Sequence, residues 1–260
     1  MRFQCRSGGW ASANNFNDCG YTDTVGTIEA DIERFYAILS QLRSAPHQGA
    51  RLADQNGRTV FSPTGVYFFF EPGEYRNSQP NALRVVRVGT HAVSFGSKAT
   101  LWQRLRTHRG TKTGGGNHRA SIFRLHVGTA MLARDRLALS RWGVGSNAER
   151  SVRNEEAEHE RRVSEYIGEM PVLWIDAPGV AGRDSLRAFI ECNAIALLSN
   201  HRHPADLPSQ AWLGRHSSRP EIQGSALWNV QHVDEAYDPG FLDELEAQAA
   251  NTLDVLQGRD

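Results

Sequence analysis

Arg104 and His108 stand four residues apart in KATLWQRLRTHR (98–109), where Leu101, Trp102 and Leu105 mark an apolar helical face. On a helix, positions i and i+4 point the same way. The pair therefore joins a planar guanidinium that can clamp a phosphate oxygen to an imidazole that exchanges protons near neutral pH. Such a pair is common on solvated helices, and its weight comes from what precedes it. Gly65-Val66-Tyr67 and Arg87-Val88-Gly89 lie in two apolar runs separated by a Pro/Gly/Asn loop. The glycines permit close backbone approach, and the Tyr67 hydroxyl can donate to, or once ionised accept from, a group outside the sheet. The chemistry implied is stabilisation of phosphate charge combined with movement of a proton.

The elements that would position these groups follow from residue spacing. Thr27 to Arg43 carries Ile28, Ile32, Phe35, Tyr36, Leu39 and Leu42 at helical intervals, whereas residues 1–24 read as loop. A turn at Asp54–Gly57 leads to a strand-like stretch from Thr59 to Ser62. Strands are expected at Gly65–Glu71 and Leu83–Thr90, then a helix at Lys98–Arg109. Gly110 and Gly114-Gly115-Gly116 end that helix and predict a mobile loop. Helices follow at Asn117–Leu132, interrupted near Gly128, and at Asn154–Ile167. A short buried strand at Met170–Ile175 precedes a helix at Asp184–Leu198. Residues 204–232 read as a Pro- and Trp-punctuated loop before a final acidic helix, Phe241–Leu256, capped by Asp238 or Pro239. The expected fold is α+β, a small antiparallel β-sheet flanked by helices, with N- and C-terminal helical additions. Its expected divisions are 1–61, 62–204 and 205–260.

The chain has 260 residues, 40% hydrophobic and 22% charged, which suits an ordinary globular protein rather than a disordered one. No apolar run reaches the roughly 20 residues of a membrane span, and the N-terminus lacks a secretory signal, so a cytoplasmic location is expected. Cys5, Cys19 and Cys192 are odd in number and widely spaced, which favours free thiols. The net charge of zero conceals segregation. Tyr75 to Arg134 holds eleven Lys or Arg, four His and no acid, whereas Asp234 to Asp260 holds eight acids and one Arg. The basic block is a candidate footprint for a polyanion, with Lys98 and Arg109 among its substrate contacts. The alternative is a solvated basic face without a ligand.

Taken in order, Gly65-Val66-Tyr67, Arg87-Val88-Gly89, Leu101-Trp102-Gln103-Arg104-Leu105-Arg106-Thr107-His108 and Phe189-Ile190-Glu191-Cys192-Asn193-Ala194-Ile195 resemble the motifs of the GIY-YIG nucleases over roughly residues 62–204. The resemblance implies a metal-dependent DNA endonuclease. Tyr67 would contact the attacking water or scissile phosphate, Arg104 would neutralise transition-state charge and His108 would assist proton transfer. Glu191 would hold one Mg²⁺ or Mn²⁺. His118 is a second candidate phosphate or proton contact, and Asn200 stands for the asparagine found after the metal helix in several members. Arg87 occupies the position of the second motif's tyrosine, so either it contacts phosphate or Tyr67 acts alone. The other reading is a nucleic-acid-binding module of the same fold that has lost activity.

The implied partner is duplex or branched DNA, with no membrane contact. Cutting both strands from one site would require a homodimer or successive nicks. Tyr166-Ile167-Gly168 lies too far along the chain to be the first motif and reads as helix termination. His201-x-His203 reads as loop. Trp212 and Trp228 read most simply as packing residues, with base stacking as the alternative.

Overall fold

The computed structural model describes residues 21–60, 62–91 and 99–258, with the side chains of the first helix described from Thr27. Lys98, Cys5, Cys19 and residues 1–20 of the loop expected over 1–24 lie outside these residues, whereas Tyr21–Thr24, read as loop, form the start of the first helix. Three antiparallel strands, β1 (Gly65–Tyr75), β2 (Leu83–Thr90) and β3 (Val172–Asp176), form a sheet in the order β2-β1-β3. Among the described residues seven α-helices surround it: α1 (Tyr21–Leu42), α2 (Leu101–Arg109), α3 (Ile122–Asp135), α4 (Arg150–Gly168), α5 (Leu186–Leu198), α6 (Pro220–Ser225) and α7 (Phe241–Gln257).

The run GVYFFFE is apolar without alternation because both faces of β1 are covered. Val66, Phe68 and Phe70 join a core built with α1, α5 and α7. Tyr67 and Phe69 face the opposite way, into a core shared with α2, α3, α4 and the buried indoles of Trp212 and Trp228. The segments read as N- and C-terminal additions therefore supply side chains to the same two cores as the central strands.

β2 contains an irregularity that matters for the site. Phe69 pairs with Arg87 whereas Phe70 pairs with Val85, leaving Val86 as an extra residue. Such a bulge changes the direction of side chains after it. Here Val85 joins the first core, while Val86 joins the second and Arg87 stacks its guanidinium 4.7 Å from the centroid of Phe123, also in the second core.

Several local expectations change. β1 continues to Tyr75, and Thr59–Val60 is turn rather than strand; Phe61 lies outside the described residues. Ser121 separates a 3₁₀ turn at His118–Ala120 from α3 and accepts a hydrogen bond from the Arg124 amide, so the helix restarts there. Gly128 does not break α3: a Cβ there would come within 2.2 Å of the Trp142 ring, which identifies close packing as its role. The expected cap of α7 by Asp238 or Pro239 gives way to Gly240 at the N-cap position, with the Asp238 carboxylate accepting from the Gly240 amide. The Gly-rich stretch is tied down: the Thr111 amide donates to the Gly115 carbonyl at 2.7 Å, and Gly116 lies against the guanidinium of Arg124. Cys192 is disulfide-bonded, against the expectation of a free thiol. No helix among the described residues is long and apolar enough to cross a membrane.

Candidate active site at the end of strand β2

Tyr67 and Gly89 face each other across the β1–β2 ladder. A Cβ on Gly89 would lie 2.2 Å from the Tyr67 hydroxyl, so only glycine lets the phenol cross the neighbouring strand there. Gly65 has a different cause, since a Cβ would meet the Ile175 carbonyl of β3 at 2.2 Å. Gly89→Ala is expected to displace the phenol, costing about 1–3 kcal/mol by overpacking. Paired denaturation and cleavage measurements check this, with activity falling more than stability.

The Tyr67 hydroxyl lies 2.8 Å from His108 Nε2, and His108 Nδ1 lies 2.8 Å from Ser121 Oγ. Burial, reinforced by the charges of Arg104, Arg87 and Arg124, holds the imidazole pKa well below its ordinary value. It is neutral at pH 7, with one nitrogen donating and the other accepting. Arg87, which also interacts with the phenol, can only donate, so the phenolic proton is directed to Nε2 and Nδ1–H to Ser121. This makes a buried path from Tyr67 to His108. Both residues are fully enclosed, so His108 can reach a reacting group only through Tyr67.

Arg87 is also buried; its Nη1 donates to the Trp228 carbonyl at 2.6 Å, while its Nε has no hydrogen-bond partner among the described residues. Arg104 is half-buried at the mouth of a cleft of about 290 Å³ lined also by His118, Arg119, Ser121 and Ile122. The Arg104 Nε is likewise without a partner among the described residues.

Glu191 reaches this group from α5. Its Oε1 accepts from the Thr90 amide at 3.0 Å, whereas Oε2 accepts no hydrogen bond from the described residues. Gly89 and Thr90 thus bring the phenol and the carboxylate to two consecutive residues of β2. Loss of hydration pushes the Glu191 pKa up, and the charges of Arg87, His232 and Arg104, with the Thr90 amide, oppose that rise without cancelling it. One carboxylate with an uncommitted oxygen suits a Mg²⁺ or Mn²⁺ ion that keeps open positions for phosphate and water. Among the described residues, no three His, Cys, Asp or Glu form a metal-binding group, so any cation here would rely on few protein ligands.

The remaining sequence-predicted residues are placed differently. His118 stacks on Trp142 at 3.8 Å and uses both ring nitrogens internally, Nδ1 with Glu160 and Nε2 accepting from the Gly143 amide. Asn200 donates to the Asp206 carbonyl and accepts from the Ala205 amide, which makes it a loop brace. Arg109 donates to the Gln55 carbonyl and lies over Trp102, turned toward a separate cleft of about 530 Å³. All three side chains thus have partners within the fold.

The acid-free basic block is also not acid-free in space. Arg76 pairs with Glu33, Arg84 with Glu74, Arg119 with Glu156 and Arg124 with Glu160. Trp212 and Trp228 are buried, donating their indole N–H groups to Glu71, and Tyr166 donates its hydroxyl to the same carboxylate. Packing therefore accounts for both tryptophans.

The small antiparallel sheet carries the tyrosine, with an Arg/His helix beside it and a glutamate delivered by a later helix. A family model described as "GIY-YIG domain" matches residues 27–255, and the chain belongs to that family. Comparisons with curated proteins and with solved structures found no match.

Proposed function

We propose that this GIY-YIG protein is a divalent-metal-dependent endonuclease that hydrolyses phosphodiester bonds in DNA. The observation supporting the reading most strongly is the Gly89–Thr90 junction, where the Tyr67 hydroxyl crosses β2 at Gly89 and the next amide donates to Glu191, with Arg87 interacting with both side chains.

A bound cation would supply Lewis-acid polarisation of the phosphate and stabilise the leaving oxygen. Glu191 would hold it through Oε2. Tyr67 would take a proton from the attacking water as its own passes to His108 Nε2, leaving His108 positively charged until proton release. Arg104 would neutralise charge on the phosphate oxygens as the new P–O bond forms and the old one breaks. Since Tyr67 is enclosed, substrate entry would require Arg87 to shift from the phenol toward the phosphate. One site cuts one strand, so a double-strand break would need two chains or two successive nicks.

Wild-type protein is expected to convert supercoiled plasmid to open circles with Mg²⁺ or Mn²⁺ and to stop when the metal is chelated. Arg104→Ala should raise the barrier by roughly 3–4 kcal/mol, the effect of losing one preorganised electrostatic donor. Single-turnover cleavage rates measure this directly; an unchanged rate would remove Arg104 from the mechanism.

The enclosure of Tyr67 favours a second reading, a DNA-binding module without turnover. That protein would shift DNA in a gel yet leave the plasmid closed at every metal concentration.

A further inference from the structure

His108 is fully enclosed, so a proton it takes from Tyr67 at Nε2 can go onward only from its other ring nitrogen. Nδ1 has one partner among the described residues, Ser121 Oγ, at 2.8 Å. Burial, with the charges of Arg104, Arg87 and Arg124, disfavours a second proton on the imidazole, so a proton gained on one side must be passed on from the other. Ser121 belongs to none of the sequence motifs. It occupies the break between the His118–Ala120 turn and α3, where its amide donates to the His118 carbonyl at 3.1 Å and its Oγ accepts from the Arg124 amide at 3.2 Å.

A count of hydrogens leaves one unplaced. A hydroxyl oxygen has two accepting lone pairs and one proton to donate. Nδ1–H of the neutral imidazole and the Arg124 amide fill both accepting positions of Ser121, and among the described residues no group accepts its O–H. Ser121 is 1% exposed, yet it lines the cleft of about 290 Å³ that Arg104 also lines, whereas Tyr67 and His108 do not line it. Ile122, next in the chain and on the same lining, is exposed, so the cleft meets solvent. A buried hydroxyl proton without an acceptor inside the fold, beside a polar space, calls for a water there.

We propose that Ser121 is the positioning residue for His108 and the proton exit of the site, passing the proton released at Tyr67 from His108 Nδ1 to a water in the Arg104 cleft. This rests on the reading of Tyr67 as the group that takes a proton from the attacking water. As the phenolic proton moves to Nε2, Nδ1–H moves to Ser121 Oγ and the Ser121 hydroxyl proton moves to the water. Each member loses one proton and gains one. His108 returns to neutrality in its other tautomer, and the single proton that leaves is the one the attacking water gave up. The Arg124 amide, at the start of α3, stabilises negative charge that develops on Oγ during the transfer.

Hydrogen exchange of the His108 ring N–H, followed by NMR in the full chain labelled with ¹⁵N-histidine and without DNA, gives a readout independent of cleavage. Ser121→Ala removes the exit, so exchange should slow on the order of 10-fold, whereas a residue that only capped α3 would, when lost, loosen the helix start and speed exchange. Ser121→Thr keeps the hydroxyl and should restore the wild-type rate. Ser121→Gly, which helix N-caps tolerate, gives the same test if the alanine variant does not fold. In single-turnover cleavage Ser121→Ala should be slower by roughly 10²-fold, the lower end of the range for losing a proton-transfer group, with KM unchanged and with fewer protons in flight in mixed H₂O/D₂O. Exchange that is unchanged or faster in both the alanine and glycine variants overturns the assignment. Slowed exchange in a protein that never cuts DNA would sink the nuclease reading and leave the proton path standing. A Ser121→Ala protein that cuts at the wild-type rate with unaltered exchange would do the reverse.

Discussion

Tyr67→Phe is expected to slow single-turnover DNA cleavage by roughly 10²- to 10⁴-fold, the range for removing a group that transfers a proton in the transition state. The substitution keeps the ring that fills the second core and packs edge-on to Phe69 and His108. Only the oxygen 2.8 Å from His108 Nε2 is lost. Because His108 is enclosed and touches no other group on that nitrogen, its proton path ends at the missing oxygen. DNA affinity should change little, since the half-buried cation lining the cleft, Arg104, is untouched. Stopped-flow or quench measurements of cleavage beside gel-shift affinity separate the two effects. A variant that retains wild-type cleavage would show that the phenol takes no part in proton movement.

Arg124→Met is expected to cost about 3–5 kcal/mol of folding stability, the penalty for leaving one member of a buried ion pair without its partner. Arg124 donates through Nε to Glu160 Oε2 at 3.1 Å, through Nη1 to the His108 carbonyl at 2.9 Å and through Nη2 to Ser164 Oγ at 3.0 Å. Glu160 also accepts from the His118 amide. Burial raises the Glu160 pKa, but the His118 and Arg124 contacts outweigh it and leave the folded value below normal. Its stabilisation is therefore complete above the unfolded glutamate pKa of about 4.3 and is lost as pH falls through the lower folded value. Urea unfolding should show both the large loss and a weaker acid-side dependence in the variant. Arg124→Met with Glu160→Leu should recover much of the loss, because no uncompensated charge remains. If the double variant is no more stable than the single one, the pair is not the source of the effect.

The site was legible in sequence where local spacing and motif order determine it. Tyr67, Arg104, His108 and Glu191 belong to segments whose periodicity gives the element, and Gly89 is fixed by the phenol that crosses it. Charge counted along the chain was less informative, because Glu33, Glu74, Glu156 and Glu160 come from other segments to meet Arg76, Arg84, Arg119 and Arg124. The bulge that turns Arg87 toward Tyr67 has no signature in LRVVRVG, since it depends on the register with β1. His118 and Asn200 looked available because their partners, Glu160, Gly143, Ala205 and Asp206, are joined to them by folding rather than by any motif. Residues 204–232 read as loop because the two indoles that bury them share one carboxylate, Glu71, more than a hundred residues upstream.

Glu191→Gln in a plasmid-nicking assay addresses the proposed reaction most directly. The amide keeps the size of the carboxylate and can still accept from the Thr90 amide, but it removes the charge that would hold a cation. Wild-type protein with Mn²⁺ should open supercoiled DNA, whereas the variant should leave it closed while binding DNA with the same salt dependence. Nicking by the variant at the wild-type rate, or a wild-type protein that never opens the circle, would contradict the hydrolytic account.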